Sequence, residues 1–169
     1  MKRSTNATPL VKQAAVHVPT GSGARFVSSR IEKAPVFFML VRMPRFTLLE
    51  HTGAPDDPAG RHFDLLLENG VACRTWRLME IPQAGGAAVA ALELPPHRLA
   101  WLDIRESEIS GGRGRARRMD AGGYEVVSID AAEMAAATML VLRITGPLLA
   151  GRLRLEQLAD GWAASLSCV

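Results

Sequence analysis

An Asn-Gly step at Asn69-Gly70 constrains the fold of this chain more than any other feature, because it separates two apolar segments. Asn-Gly in this setting is the strongest short-range signal for a β-hairpin with a two-residue turn, since both residues tolerate a positive φ. The sequence therefore predicts a hairpin whose strands are residues 62–68 and 71–78.

Short segments of β type, separated by turn residues, continue on both sides of this hairpin. We predict strands at residues 46–51, 115–119, 124–129, 138–145, 148–155 and 162–167, with a loop at 52–61 and a glycine turn at 121–123. Residues 87–94 fit a strand or a helical turn, and residues 99–109 fit one or two strands. The best helical signal is at residues 130–137, where Asp130 is a candidate N-cap and Glu133 follows three residues later. About seven short strands with one or two short helices predict a mainly β protein, a compact antiparallel β-barrel.

The basic charge of the chain is concentrated near its N-terminal end. Residues 1–45 contain eight Lys or Arg and one acidic residue, whereas residues 46–169 contain twelve Arg and sixteen Asp or Glu. We predict a basic, mostly disordered arm over residues 1–44 and one folded domain over residues 45–169. The arm is interpreted as a contact to an acidic partner, a poorly structured leader, or sequence that precedes a true start at Met39 or Met43.

Cysteine content and hydropathy favour a reducing, cytoplasmic setting. The two cysteines, Cys73 and Cys168, do not make a disulfide framework or a metal-binding pair. No apolar run approaches the ~18–20 residues of a membrane span. The apolar residues 35–41 are too few and too far from the terminus to form a secretory signal. We expect a monomer that does not associate with membranes.

Three of the four histidines suggest a metal site. Because side chains alternate across a strand, His62 and Asp64 share one face of the hairpin, and His51 ends the preceding strand. Two neutral imidazoles and a carboxylate suit Mn²⁺, Fe²⁺ or Zn²⁺ and leave coordination positions open for a substrate. His97 is then a candidate to stabilise negative charge or to protonate a leaving group. The opposing interpretation is that each histidine is an ordinary surface or core residue.

A cluster of arginines is the second candidate feature. Residues 111–118, GGRGRARR, include four arginines within six positions. They form either a solvated basic loop or, beside a metal site, a contact for a nucleic-acid backbone. Asp56 and Asp57 lie in the loop rich in Pro and Gly, and are interpreted as solvated turn residues rather than metal ligands.

The order of these motifs resembles a known family. The segments EH, HFDLLLENG, RTW, PPHRLAWLD and SEISGGRGRARRMDAGGYE follow one another as in the 3′-phosphoesterase domain of bacterial DNA ligase D. The stand-alone proteins labelled DNA polymerase/ligase N-terminal-domain-like are more similar still. The resemblance covers residues 45–167. It implies a compact β-barrel and a Mn²⁺-dependent hydrolase of DNA repair, which removes a 3′-terminal ribonucleoside and then the 3′-phosphate. The implied partners are DNA or RNA 3′ ends and end-joining repair proteins.

The resemblance also implies roles for individual residues. His51, His62 and Asp64 match the metal ligands of the family. His97 matches a histidine that contacts the phosphate, and is therefore the predicted catalytic residue.

Some positions depart from the family. Leu66 stands where the family has an arginine that clamps the phosphate, and Trp101 stands where it has a tyrosine. A lost arginine–phosphate contact matters because charge-assisted bonds of this kind are about twice as strong as neutral ones. Arg61, Arg98 and Arg113 are the candidates to replace the missing arginine, and together with Trp101 they are the predicted substrate-binding residues.

Two other functions fit the same residues. One is a non-catalytic module that recognises nucleic-acid ends or a repair partner through the same pocket. The other is an Fe²⁺ oxygenase, since His62-x-Asp64 followed by a distal histidine is also a facial-triad pattern. The short chain and the lack of a role for His51 argue against the oxygenase.

Overall fold

The described part of the chain consists of nine strands and two short 3₁₀ helices. The structure, a computed structural model, describes residues 42–55 and 57–168, so almost all of the predicted arm lies outside the described residues. The strands are β1 (Arg45–Thr52), β2 (Arg61–Asn69), β3 (Ala72–Leu78), β4 (Val89–Arg98), β5 (Glu106–Glu108), β6 (Arg115–Ile129), β7 (Met139–Thr145), β8 (Ala150–Leu158) and β9 (Gly161–Ser167). The 3₁₀ helices are Leu99–Asp103 and Met134–Ala136.

The nine strands form one antiparallel sheet that closes on itself. Their order is β1-β2-β3-β4-β9-β8-β7-β6, and β6 pairs back with β1, while the short β5 pairs with the beginning of β6. The 15-residue β6 closes the ring because its first part pairs with β1 and its last part with β7. The prediction of a mainly β, antiparallel, barrel-like fold with short helices is confirmed. No helix in the described residues is long and apolar enough to cross a membrane.

The inside of the ring is the main hydrophobic core, and every strand except β5 contributes to it. The largest fully buried side chains there are Phe46, Leu48, Leu65, Leu67, Trp76, Leu78, Tyr124, Leu140, Leu142 and Ile144. Burying one such side chain contributes about 1.5–3 kcal/mol, so this core accounts for much of the driving force for closure.

A second, smaller cluster covers the opposite face of β1, β2 and β3. Leu49, Leu66 and Cys73 are fully buried there against Leu102 of the first 3₁₀ helix. Thr47 on the same face donates a hydrogen bond to the Leu102 carbonyl at 3.1 Å. The 3₁₀ helix is therefore held on the outer face of the ring, where it forms a wall beside the ends of β1 and β2.

The predicted hairpin is confirmed, but its turn lies one residue later than Asn69-Gly70. Asn69 pairs with Ala72, so Gly70 and Val71 form the turn, and Gly70 has a φ of 62°. Val71 has no positive φ, which fits a turn that needs glycine only at its first position. As a result, each residue of β2 pairs with a residue of β3 that lies two positions later in the chain than the predicted turn would give.

The predicted glycine turn at residues 121–123 is wrong, because β6 runs through it as one strand. Gly123 pairs with Arg45 of β1 and also with Thr145 of β7, so β6 changes partners at this point. A Cβ built on Gly122 would lie 1.9 Å from the Thr145 carbonyl oxygen. The glycines therefore allow close approach of three backbones at a corner of the ring, which is a recognised use of glycine within strands.

The predicted helix at residues 130–137 is also wrong apart from the 3₁₀ turn Met134–Ala136. Asp130 does not act as an N-cap, and its carboxylate accepts hydrogen bonds from the backbone N–H groups of Thr138 and Met139, at 2.9 and 3.0 Å. Although the segment contains five alanines, eight residues between two paired strands are too few for a helix to be stable by propensity alone. Of residues 99–109, Leu99–Asp103 form the 3₁₀ helix and only Glu106–Glu108 form a strand.

We expect alanine substitutions at the two neighbouring glycines of this corner, Gly122 and Gly123, to differ in their effect on stability. In Gly122→Ala the new Cβ meets backbone atoms that cannot move independently, so the free energy of unfolding should fall by about 1–3 kcal/mol or more. In Gly123→Ala the nearest atom is the flexible end of Met43, at 3.3 Å, and the loss should stay below about 1 kcal/mol. Urea denaturation of both variants measures the difference, and equal losses would contradict the close-approach explanation.

Candidate metal centre

The histidines of β1 and β2 lie directly opposite each other. His51 pairs with His62 across the two strands, and their rings stack with centroids 5.1 Å apart and planes 8° from parallel. Asp64 lies two residues further along β2 and therefore on the same face. The structure thus brings together the three residues that were predicted to bind a metal.

The distances between these side chains suit a single ion. One ligand atom from each of His51, His62 and Asp64 lies within 4.8 Å of the others. Asp64 places one carboxylate oxygen 3.2 Å from His51 Nε2 and the other 3.8 Å from His62 Nε2. Ligand atoms that are each ~2.0–2.2 Å from one metal ion lie roughly 3–3.6 Å apart, so a small contraction would complete the coordination.

Two of the ligand atoms are buried without a hydrogen-bond partner in the described residues. They are His62 Nε2 and Asp64 Oδ1, and the side chains to which they belong are 2% and 4% exposed. A buried polar atom without a partner costs about 1–3 kcal/mol, so such atoms are rare unless something binds them. A divalent cation between the three side chains would satisfy both atoms. The residues present therefore fit a metal, although the donor set alone does not select one ion.

Asp57 supports His62 from behind the candidate site, and this role was missed in the sequence. Its carboxylate accepts a 2.6 Å hydrogen bond from His62 Nδ1. Because a carboxylate only accepts, Nδ1 carries a proton, and in the neutral ring the lone pair of Nε2 is then free on the side of Asp64. This hydrogen bond, more than any other contact, lowers the pKa of Asp57 below its usual value. Carboxylate–histidine–metal arrangements of this kind are common around bound metals.

The loop conformation explains why Asp57 reaches His62. The Asp57 side chain accepts a hydrogen bond from the Ala59 N–H at 3.0 Å, and its carbonyl accepts one from the Gly60 N–H at 2.9 Å. The interpretation of Asp57 as a solvated turn residue is therefore wrong, since its side chain is only 9% exposed. An aspartate five residues before a candidate metal histidine, in a loop rich in Pro and Gly, is the signal that could have identified it.

The environment of His51 favours its neutral form. Burial lowers its pKa below the ordinary value, and the nearby His62 and Arg77 lower it further, while Asp64 acts in the opposite direction. A histidine must be neutral to bind a metal, so this shift extends metal binding to lower pH.

A cleft of about 480 Å³ opens beside the three ligands. Its walls are formed by the end of β4, the first 3₁₀ helix and the loop between β5 and β6, and among its lining residues are His97, Arg98, Trp101 and Arg113. The ring of His97 lies edge-on to that of Trp101, with centroids 5.8 Å apart. Four of the residues predicted to contact a substrate therefore face the same cavity as the candidate metal ligands.

Arg61 lies on the other face of β2. Its guanidinium lies 5.4 Å from the centre of the Phe63 ring and 3.7 Å from Glu50, and it does not line the cleft. Leu66 is on the same face as Asp64, but the 3₁₀ helix buries it completely. The structure instead brings Arg77 into the cleft, a residue that the sequence interpretation did not include.

All four arginines of residues 111–118 have structural partners. Arg115 pairs with Glu106 at 2.8 Å, Arg117 pairs with Glu50 at 2.7 Å, and Arg118 donates to the carbonyl groups of Ile104 and Leu102 at 2.8 and 3.0 Å. Arg113 donates from Nε to the Ser110 carbonyl at 2.9 Å and also lines the cleft. The run is therefore largely paired rather than free, although the Arg115 and Arg117 side chains stay more than half exposed, and a contact with a nucleic-acid backbone stays a prediction.

Comparisons with known proteins add no family. No protein-family model matches the sequence, and no curated protein matches it significantly. The resemblance to the 3′-phosphoesterase domain of DNA ligase D thus stays a prediction from the motifs.

We expect Asp57 to affect metal affinity without being a ligand. Asp57→Ala should weaken Mn²⁺ binding by about 10–100-fold, because His62 loses the partner that fixes its tautomer and ring orientation. Isothermal titration calorimetry measures this affinity. Asp160→Asn, which removes an exposed carboxylate in the turn between β8 and β9, is the control and should bind Mn²⁺ like the wild type. Wild-type affinity in Asp57→Ala would show that the 2.6 Å contact does not support a metal ligand.

Proposed function

We propose that this chain is a metal-dependent phosphoesterase that acts on phosphate groups at nucleic-acid 3′ ends. The main support is the position of the candidate metal ligands. His51, His62 and Asp64 lie on one wall of the cleft and leave the rest of it free. A metal ion held from one side keeps open positions for oxygen atoms of a substrate, which is typical of catalytic rather than structural sites.

The charges around the cleft favour an anionic substrate. Three arginines line it, Arg77, Arg98 and Arg113, and Asp64 is the one acidic residue among the lining residues in the described part of the chain. Arginines that face a confined cavity attract phosphate because each guanidinium presents several N–H donors to phosphate oxygens. The excess of positive charge persists when a divalent cation is added.

The shape of the surface supports a ligand longer than a single phosphate. A second cavity of about 280 Å³ adjoins the cleft, and the two share Arg98, Trp101, Ile109 and Arg113. A polymer end can therefore occupy the cleft while the neighbouring nucleotide lies beyond Trp101, whose ring is positioned to contact a base. This continuity, together with the motif resemblance, favours a nucleic acid over a small phosphoester.

A hydrogen bond to the backbone keeps a proton on Nδ1 of His97 and leaves Nε2 available for proton transfer. Its Nδ1 lies 3.0 Å from the Pro95 carbonyl oxygen, which only accepts, so Nδ1 carries a proton. In the neutral ring, Nε2 then accepts a proton, and in the charged ring it donates one to a phosphate oxygen or a leaving group. A divalent ion bound by the three ligands would supply Lewis-acid activation of a phosphoryl oxygen, for which Mn²⁺ is the ion that the resemblance implies.

We expect removal of a metal ligand to abolish turnover. His62→Ala and Asp64→Asn should each lower Mn²⁺-dependent release of phosphate from a 3′-phosphorylated primer-template by about 1,000-fold or more, because activation by the metal is lost. Phosphate release is followed by a colorimetric assay, with Glu125→Gln on the exposed face of β6 as the control.

Three outcomes of these assays would argue against the proposal. Phosphate release that both variants retain would contradict a role for the metal centre. Tight binding of the DNA end without turnover under Mn²⁺, Zn²⁺ or Fe²⁺ would favour the non-catalytic module. Oxygen consumption with a 2-oxo acid would favour the oxygenase.

We expect His97 to act on turnover and not on metal affinity. His97→Ala should lower kcat for 3′-phosphate release by about 100–10,000-fold, the range of general acid–base contributions. Its Mn²⁺ affinity should stay within about twofold of wild type, because the His97 ring is bonded to a backbone carbonyl and not to a ligand side chain. Calorimetry and steady-state kinetics measure the two effects separately. A parallel loss of metal affinity would make His97 part of the metal centre instead.

A further inference from the structure

Arg77 occupies a position in the cleft that the strand register imposes. It lies directly opposite Asp64 across β2 and β3, and its side chain is 35% exposed, into the cavity that His51 and His62 also line. A turn centred on Asn69-Gly70 would instead have paired Asp64 with Thr75. The actual turn, one residue later, brings a guanidinium beside the candidate metal centre.

Among the described residues, the guanidinium of Arg77 has only a distant ionic neighbour. Its Nε is buried without a hydrogen-bond acceptor, and the nearest carboxylate oxygen in the described residues, Asp64 Oδ1, is 3.8 Å away. That distance is too long for a hydrogen bond. Burying an unpaired N–H of a charged group is costly, so an acceptor is expected in the cleft.

Asp64 does not remove this requirement, because it is also a candidate metal ligand. Once Asp64 coordinates a divalent cation, its negative charge is shared with that cation, and Arg77 lies next to a net positive centre. Two cations so close in a partly buried site repel each other, and an anion between them relieves the repulsion. The relief grows with the negative charge of the anion.

We propose that Arg77 binds a terminal phosphate oxygen and makes the site selective for dianionic phosphate monoesters over singly charged phosphodiesters. This inference rests on the proposed function. A monoester carries close to two negative charges near neutral pH and three terminal oxygens. It can therefore reach the metal ion and Arg77 together while one oxygen still faces His97. A diester has one charge and two terminal oxygens, so it gains less from Arg77.

The position of Arg77 also compensates for Leu66, which stands where the similar family has an arginine. Leu66 lies on the face of β2 that carries the ligands, but it is buried beneath Leu102 and cannot contact a substrate. Arg77 approaches the candidate metal centre from the neighbouring strand instead. An arginine on β3 thus supplies the positive charge that is absent from the ligand-bearing face of β2.

The test is to measure binding of two defined probes to the Mn²⁺-loaded protein. Methyl phosphate represents the dianionic monoester, and dimethyl phosphate represents the singly charged diester. In the wild type, methyl phosphate should bind about tenfold more tightly than dimethyl phosphate, or better. In Arg77→Gln, methyl phosphate should bind at least about tenfold more weakly than in the wild type, and the preference should largely disappear. Isothermal titration calorimetry measures all four affinities.

The affinity for Mn²⁺ alone separates this role from a purely structural one. The Arg77→Gln variant lacks a positive charge beside Asp64, so it should bind Mn²⁺ a few-fold more tightly than the wild type. Its affinity for methyl phosphate should fall at the same time. If Arg77 only held Asp64 in place, both affinities would fall together, and that result would overturn the proposal. Arg77→Lys keeps the charge but loses the planar set of donors, so it should keep part of the preference for methyl phosphate.

Arg143→Gln is the matched control, since it removes one arginine that pairs with Glu125 far from the cleft in sequence and strand order. It should leave both probe affinities unchanged. If the wild type releases 3′-phosphate but Arg77→Gln keeps wild-type probe binding, the Arg77 inference fails and the proposed function stands. If the wild type binds methyl phosphate selectively but releases no 3′-phosphate from DNA, the proposed function fails, and the effect of Arg77→Gln still decides the inference.

Discussion

The antiparallel register of β1, β2 and β3 is the constraint on which the candidate site depends. Backbone pairing sets His51 opposite His62 and Asp64 opposite Arg77, so these four side chains of the candidate site share one face of three adjacent strands. A shift of one residue in either pairing would turn one set of side chains to the other face. The hydrophobic alternation prevents such a shift, because Phe63, Leu65 and Leu67 would then leave the core.

Closure of the sheet creates two environments with different uses. The inside is filled by apolar side chains and gives stability, whereas the outside of β1–β3 is covered by the first 3₁₀ helix and the end of β4. That partial cover buries His62 and Asp64 while it leaves a cleft open to a substrate. Electrostatic interactions are stronger at such a partly buried place than on an open strand face.

Neighbouring groups prepare the three histidines of this cleft. Asp57 fixes the tautomer of His62, the Pro95 carbonyl fixes that of His97, and burial favours the neutral form of His51. A site whose side chains are oriented before a ligand arrives loses less free energy on binding, because fewer rotamers must be ordered. The arrangement is therefore suited to holding a metal ion in a defined position.

The strand-rich fold, the hairpin, and the shared face of His62 and Asp64 could all be predicted from the sequence, because they follow from local alternation and turn chemistry. The sequence by itself did not predict the turn position at Gly70-Val71, the continuous β6, or the failure of Asp130 to start a helix. Those features depend on pairing with strands distant in sequence. The roles of Asp57 and Arg77 likewise depended on tertiary structure, since a loop conformation and a two-residue change of register bring these side chains to the site.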